Sequence, residues 1–324
     1  MIRRHTTGAL RVLVCGAILS FSANGWANSG APQNQNVSYH FTSFQTYLPS
    51  EFHTLVIEHL LEFCGVNARR FPYRAAVDSQ ERILVTDPGL SVVHVLDVKN
   101  RAYWQIIGDR HQRLGVPVGI AVDADDNIYV TDLSPPRIVV FHPGGRIVRV
   151  IGAAVLEAPA GLSVDKQSRE LYVADESKDQ ILSFDLEGRL VGSFGSRGAG
   201  PGQFIRPRDV VLHHKTLVVL DAGNFRLQMF DLRGMFRGMW PLGADQPSGL
   251  VFDHESNLYY VDQATSNLVA LDRRGKFLAT VGRRKRLFGE PDFYCAQVNA
   301  EGDIVAIRSP FRLQMLRLVP DTAP

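Results

Sequence analysis

The chain has 324 residues, 45% of them hydrophobic and 21% charged, with a formal net charge of +2. That composition excludes a disordered chain, a collagen-like repeat and a polytopic membrane protein. So even a charge balance leaves no electrostatic footprint for nucleic acid, and three cysteines make neither a disulfide scaffold nor a zinc-type cluster.

Residues 1–27 read as a secretory signal peptide. Arg3, Arg4 and Arg11 form a basic start, Val12 to Phe21 is apolar, and the small residues Gly25 and Ala27 set a cut after Ala27. An apolar run this short cannot span about 30 Å of hydrocarbon as a helix. Cys15 follows Val14 inside the apolar run, where no lipobox belongs. Removing 1–27 takes away three arginines and no acid, so the formal charge falls from +2 to −1. The expectation is an exported, periplasmic or extracellular protein with no stable membrane insertion once the signal is cut. Residues 28–56 read as a polar, partly irregular leader without strand alternation.

From 57 to 319 one unit recurs. It opens with Pro, continues through an apolar strand ending in Asp, a polar turn, a second strand ending in Asp, a third strand, a Gly turn and a last strand ending in Gly. The clearest copy runs Pro117-Val-Gly-Ile-Ala-Val-Asp123, Ile128-Tyr-Val-Thr-Asp132, Arg137-Ile-Val-Val-Phe141 and Ile147-Val-Arg-Val-Ile-Gly152. Other copies start at Pro72, Pro159, Pro207, Pro247 and Pro291. The mid-unit Asp recurs as Asp87, Asp132, Asp175, Asp221 and Asp262, with Ile307 in its place in the sixth, at steps of 45, 43, 46, 41 and 45 residues. Four short strands per unit at this period predict an all-β, six-bladed propeller of four-stranded antiparallel blades. The sixth unit stops after its third strand, leaving 320–324 as a tail. Leu60-Leu-Glu-Phe-Cys-Gly65 resembles the outer strands of the other units, so 57–65 is expected to close the last blade.

The units resemble NHL repeats over roughly 59–319. Phe194-Gly-Ser-Arg-Gly-Ala-Gly-Pro-Gly-Gln-Phe204 with Arg206-Pro207 looks like that family's linker, and Tyr129-Val-Thr-Asp132 and Tyr172-Val-Ala-Asp175 like its strands. His213, Asn299 and Ile307 depart from the pattern. The resemblance implies a rigid propeller that binds a partner on one face. Some relatives of this architecture are metal-dependent lyases or lactonases, so fold alone does not set function.

The repeated Asp residues read as structural, since a carboxylate at a strand end accepts N–H bonds in the next turn. Gly198-Ala-Gly-Pro-Gly-Gln203 is not a phosphate loop, because no Lys-Ser/Thr or helix follows it. No His, Cys or acidic set has the spacing of a metal or catalytic centre, so no catalytic residue, metal ligand or cofactor is assigned. On the inner strands, Arg74, Gly119, Gly161, Asp209, Gly249 and Cys295 share one face with Ala76, Ala121, Ser163, Val211, Val251 and Gln297. If that face lines the channel, its mouth is mostly glycine, with Arg74 and Asp209 on opposite blades as solvated edge charges. The loops entering the inner strands carry Arg69, Arg70, Tyr73, Arg206 and Arg208. Those after the second strands carry Arg137, Phe225-Arg226 and Phe311-Arg312. Exposed Arg beside aromatics is a binding-surface composition. The expected function is a binding scaffold for a protein or an anionic polysaccharide, using Arg74, Arg206, Arg208, Asp209, Phe225, Arg226, Phe311 and Arg312. The alternative is a metal-dependent lyase or lactonase at the channel mouth. Cys64 and Cys295 are expected to be free thiols.

Overall fold

The computed structural model describes residues 39–47, 73–97, 99–100, 102–244, 246–282, 293–299, 303–308 and 312–320. The signal sequence, 57–65, Cys64 and Phe311 lie outside the described residues.

Six four-stranded antiparallel sheets form a six-bladed β-propeller. Blade 1 is β2 (Ala75–Val77), β3 (Ile83–Asp87), β4 (Val92–Asp97) and β5 (Ala102–Ile106). Blade 2 is β6 (Pro117–Val122), β7 (Ile128–Leu133), β8 (Pro136–Phe141) and β9 (Ile147–Ile151). Blade 3 is β10 (Pro159–Asp165), β11 (Glu170–Asp175), β12 (Gln180–Asp185) and β13 (Leu190–Phe194). Blade 4 is β14 (Pro207–His213), β15 (Thr216–Asp221), β16 (Arg226–Asp231) and β17 (Phe236–Pro241). Blade 5 is β18 (Pro247–Phe252), β19 (Leu258–Asp262), β20 (Asn267–Leu271) and β21 (Phe277–Val281). Blade 6 holds β22 (Phe293–Val298), β23 (Ile304–Arg308) and β24 (Arg312–Pro320).

The first strand of each blade lines the channel and touches the first strands of its neighbours around the ring. Second strands such as β3 and β19 are buried along their whole length, because blades cover both their faces. Outer strands alternate, as in β17, because one face packs and the other is exposed. The core is therefore a set of apolar layers between blades, such as Leu84, Val95, Ile120 and Phe141.

The repeated Asp residues staple this frame. Asp175 Oδ1 and Oδ2 accept N–H bonds from Glu157 and Ala158 in the entering loop and from Ser177 and Lys178 in the following turn. Asp132 does the same for Gly115, Val116 and Ser134. Each buried carboxylate thus ties its own blade to the loop arriving from the one before. The glycine turns have a matching role. At Gly275 φ is +78°, and a Cβ there would overlap the Trp240 ring of the preceding blade.

The strand completing blade 6 is β1 (Tyr39–Tyr47), which pairs antiparallel with β24 from Tyr39↔Pro320 to Tyr47↔Leu313. The sequence pattern placed this strand at 57–65 and read 28–56 as a leader. A bulge between Ser43 and Gln45 explains the misreading. One extra residue breaks strict period two, so the stretch did not alternate as a strand should.

Candidate functional site

Two concavities sit on the propeller axis and its rim. The first is a channel cavity of about 230 Å³, lined by both inner-strand sets that the alternation placed together except Cys295, which is buried away from it. Its lining starts at Arg74, Gly119, Gly161, Asp209 and Gly249 and runs to Val77, Val122, Val164 and Lys166 near the hairpin ends of those strands. No residue nearer the strand starts takes part, so the Arg74–Asp209 layer is its floor.

That layer is not a pair of solvated edge charges. Arg74 and Asp209 are each 6% exposed. Arg74 Nη1 donates to Ser248 Oγ at 2.7 Å, and Nη2 lies 3.5 Å from Asp209 Oδ2. Asp209 Oδ2 also accepts from Leu250 N at 2.8 Å, and Oδ1 from Val210 N at 3.0 Å. The glycines explain how opposite blades meet: a Cβ at Gly161 would overlap the Asp209 carboxylate. Burial pushes the Asp209 carboxyl up, opposed by the Arg74 charge and the two N–H donors. Arg74 Nε and Nη2 are buried without a hydrogen-bond partner, so the guanidinium is incompletely compensated. Cys295, in the same layer, is a buried free thiol pushed up to about 12 by burial.

At the hairpin end of the channel His213 stacks on Phe252 with ring centroids 4.1 Å apart, and its Nε2 meets Ser256 Oγ at 2.8 Å. Burial, then the His214 charge, lowers its basicity. Among the described residues no three His, Cys, Asp or Glu side chains form a group able to hold a metal ion.

The second concavity opens on the opposite face, where the inner strands begin. It is a cleft of about 410 Å³ across blades 1 to 3. Three equivalent positions build it. The second residue of each repeat supplies Tyr73, Val118 and Ala160; the residue after the mid-repeat Asp supplies Pro88, Leu133 and Glu176; the residue before the entry Pro supplies Val116 and Ala158. At blade 4 two of the three corresponding residues turn cationic, Arg208 and Arg206, while the third is Ala222. Arg206 Nη2 lies 3.7 Å and Arg208 Nε 3.5 Å from the Glu176 carboxylate, so both guanidinium groups stand at the cleft's end.

The expected rim residues therefore divide. Arg206 is exposed, Arg208 is half-buried and Phe225 is exposed. Arg226, expected on the exposed rim, is buried. It pairs with Asp221 at 2.8 Å and donates to the carbonyls of Ala199, Gly200 and Gln203. It clamps the glycine-rich linker, whose exposed amides need a fixed partner. Arg137 is buried likewise, against Asp132 and the Arg113 carbonyl. Arg312 is described as the first residue of β24. Leu133, Pro88 and Glu176 were not singled out in the sequence. Their signal was available: each follows a mid-repeat Asp, and two of the three are apolar at an exposed loop.

A family model described as a 6-bladed beta-propeller matches residues 162–248. Protein brain tumor of Drosophila melanogaster is 30% identical over 128 residues, which is 38% of this chain and 12% of that protein. The chain thus spans about an eighth of that relative's length. A solved Nidogen/Laminin complex aligns with TM-score 0.56 and 23% identity, over 65% of this chain and 80% of that one. Virginiamycin B lyase from Staphylococcus aureus, solved with Quinupristin, aligns with TM-score 0.56 and 11% identity, over 78% and 97%. These structural likenesses are likenesses of fold. They include both a protein complex and an enzyme.

Proposed function

We propose that the protein is an exported binding propeller with NHL-type repeats, which holds a protein partner on the face where its inner strands begin. The observation that carries this reading is the change of character along one face. Equivalent positions are apolar in blades 1 and 2, and become Glu176, Arg206 and Arg208 at blades 3 and 4. An apolar side chain of a partner fits the cleft over Leu133, Pro88 and Tyr73. An acidic group beside it would meet Arg206, which lies too far from Glu176 for a close bond. Buried apolar anchors flanked by arginine are a common way to concentrate binding energy. A protein segment suits the cleft better than an anionic glycan, whose hydroxyls would face an apolar wall without hydrogen-bond partners. The protein complex among the structural likenesses is compatible with this reading.

The test uses a displayed library of random peptides selected against the purified protein. Selected peptides should pair an apolar residue with an acid. Leu133→Asp and Arg206→Glu should each weaken them at least tenfold, while Arg273→Glu on the opposite face leaves them unchanged. Peptides insensitive to both cleft variants would place the binding face elsewhere.

A further inference from the structure

Of the nine exposed large apolar side chains among the described residues, Val148, Leu190, Val191, Met235, Met239 and Phe277 lie on or beside outer strands β9, β13, β17 and β21. At the hairpin end of blades 4 and 5, Met235 is 62% and Phe277 49% exposed. The turns carrying these two hold Arg233, Arg237, Arg273, Arg274 and Lys276, all exposed. The acids of the same turns are committed. Asp231 accepts the Arg233 and Met235 N–H groups and pairs with Arg237. Asp272 accepts the N–H groups of Arg274 and Lys276. Arg233, Arg273, Arg274 and Lys276 make no ion pair among the described residues. Four cations without an ion-pair partner among the described residues thus share two hairpins with two exposed apolar side chains.

We infer that this corner of blades 4 and 5 is a peripheral docking surface for an anionic lipid bilayer. The charge selects the partner class: four free cations match a negatively charged headgroup layer. The shape selects a bilayer over a folded acidic protein. Met235 and Phe277 project from turns and do not line a groove, so a rigid partner would need two matched pockets. The boundary between headgroups and acyl chains accepts such tips without matching. The geometry also keeps function separate, because the apolar cleft opens on the opposite face of the ring. A propeller seated this way presents its cleft away from the membrane. The surface does not depend on the reading of the cleft.

The experiment is co-sedimentation of the purified protein, lacking residues 1–27, with vesicles of phosphatidylcholine alone or with about one third phosphatidylglycerol. Binding is expected to the anionic vesicles and to fall as salt rises. Arg273→Gln with Arg274→Gln should weaken it by roughly fivefold per cation removed. Phe277→Ser should weaken it about tenfold or more, since the ring no longer buries. Arg110→Gln, an exposed cation in the loop between β5 and β6 that belongs to neither proposed site, should leave it unchanged and shows that the loss is not one of net charge. Thermal melts of each variant separate lost binding from lost fold. Failure of the protein to bind anionic vesicles at low salt overturns the inference, as does equal binding to neutral vesicles. A protein that sediments as a dimer made monomeric by Phe277→Ser also overturns it, assigning the patch to a second copy of the chain.

Discussion

The sharpest test of the fold's central feature is Asp209. Replacing it by Ala removes the carboxylate that faces Arg74 and leaves the Val210 and Leu250 N–H groups without their acceptor. Breaking one side of a buried ion pair typically costs about 3–5 kcal/mol. For a domain of this size each kcal/mol moves the melting temperature by roughly 2–4 °C, so Asp209→Ala should melt about 6–20 °C lower. Asp209→Asn should be milder, because the amide oxygen can still accept from the Val210 or the Leu250 N–H group. The pH dependence follows from burial, which pushes the carboxyl up. A carboxyl raised above its unfolded value contributes stability that is fully present below about pH 3.8 and is lost as pH rises through its folded value. Asp209→Asn should remove that component and flatten the melting temperature across the acid range. The assay is calorimetry or circular dichroism melting from pH 4 to 8. An Asp209→Ala protein melting within about 2 °C of the parent would refute the argument, because an exposed edge charge contributes only about 0–1 kcal/mol. It would return Arg74 and Asp209 to the solvated state that the sequence suggested.

Arg226→Ala should destabilise by about 3–5 kcal/mol, seen as a lower denaturation midpoint, since Asp221 and three linker carbonyls lose their donor. Arg206→Glu, at an exposed site, should shift the same midpoint by no more than about 0.5 kcal/mol. Cys295, pushed up to about 12, should stay unmodified by a thiol reagent at pH 8 until denaturant is added; prompt labelling of this thiol in the folded state would contradict its burial. His213 is held neutral, so its contribution is present above about pH 6.5 and lost as pH falls through its lower folded value. His213→Gln should abolish that acid-side loss in a melting series between pH 7 and 5.

The blade count, the strand order and the channel-facing set were legible because each rests on period. Period two on the inner strands put Arg74, Gly161 and Asp209 on one face, and the repeat put Arg74 and Asp209 on opposite blades. What period cannot give is reach. Whether those two charges meet depends on a long guanidinium crossing a channel narrowed by residues without side chains, which is a matter of volume. Arg226 shows the complementary failure. Its type and place in the loop resemble a binding rim, yet the linker beside it needs a donor, and the side chain turns inward. Arg206, with no carbonyls to serve, turns outward. The closing strand was hidden for a third reason: a bulge changes phase in mid-strand, and a phase change reads as the absence of a strand. The cleft is built from apolar residues, which a pattern of charges does not mark. Its signal was an apolar residue directly after the structural Asp in blades 1 and 2, where a solvent-facing turn would otherwise be polar.

These placements bear on how the ring can work. The Arg74–Asp209–Ser248 layer crosses the channel, so the cavity on the hairpin side does not continue to the cleft on the other face. A ligand entering the cavity would meet a floor whose charges already face each other, in a space of only about 230 Å³. Asp209 is committed to Arg74 and to the Leu250 and Val210 N–H groups, and the thiol beside it is held protonated by burial. The chemistry of the layer is therefore that of a strut joining blades 1, 4 and 5. On the function proposed above, recognition would fall to the two faces, which the strut holds in fixed relation. One offers an apolar cleft ending in arginines, the other a pair of apolar tips among free cations. A rigid ring carrying two unlike surfaces on opposite sides is suited to holding one partner at a set distance and orientation from another surface. That use of the fold requires stiffness at its centre more than a reactive group there.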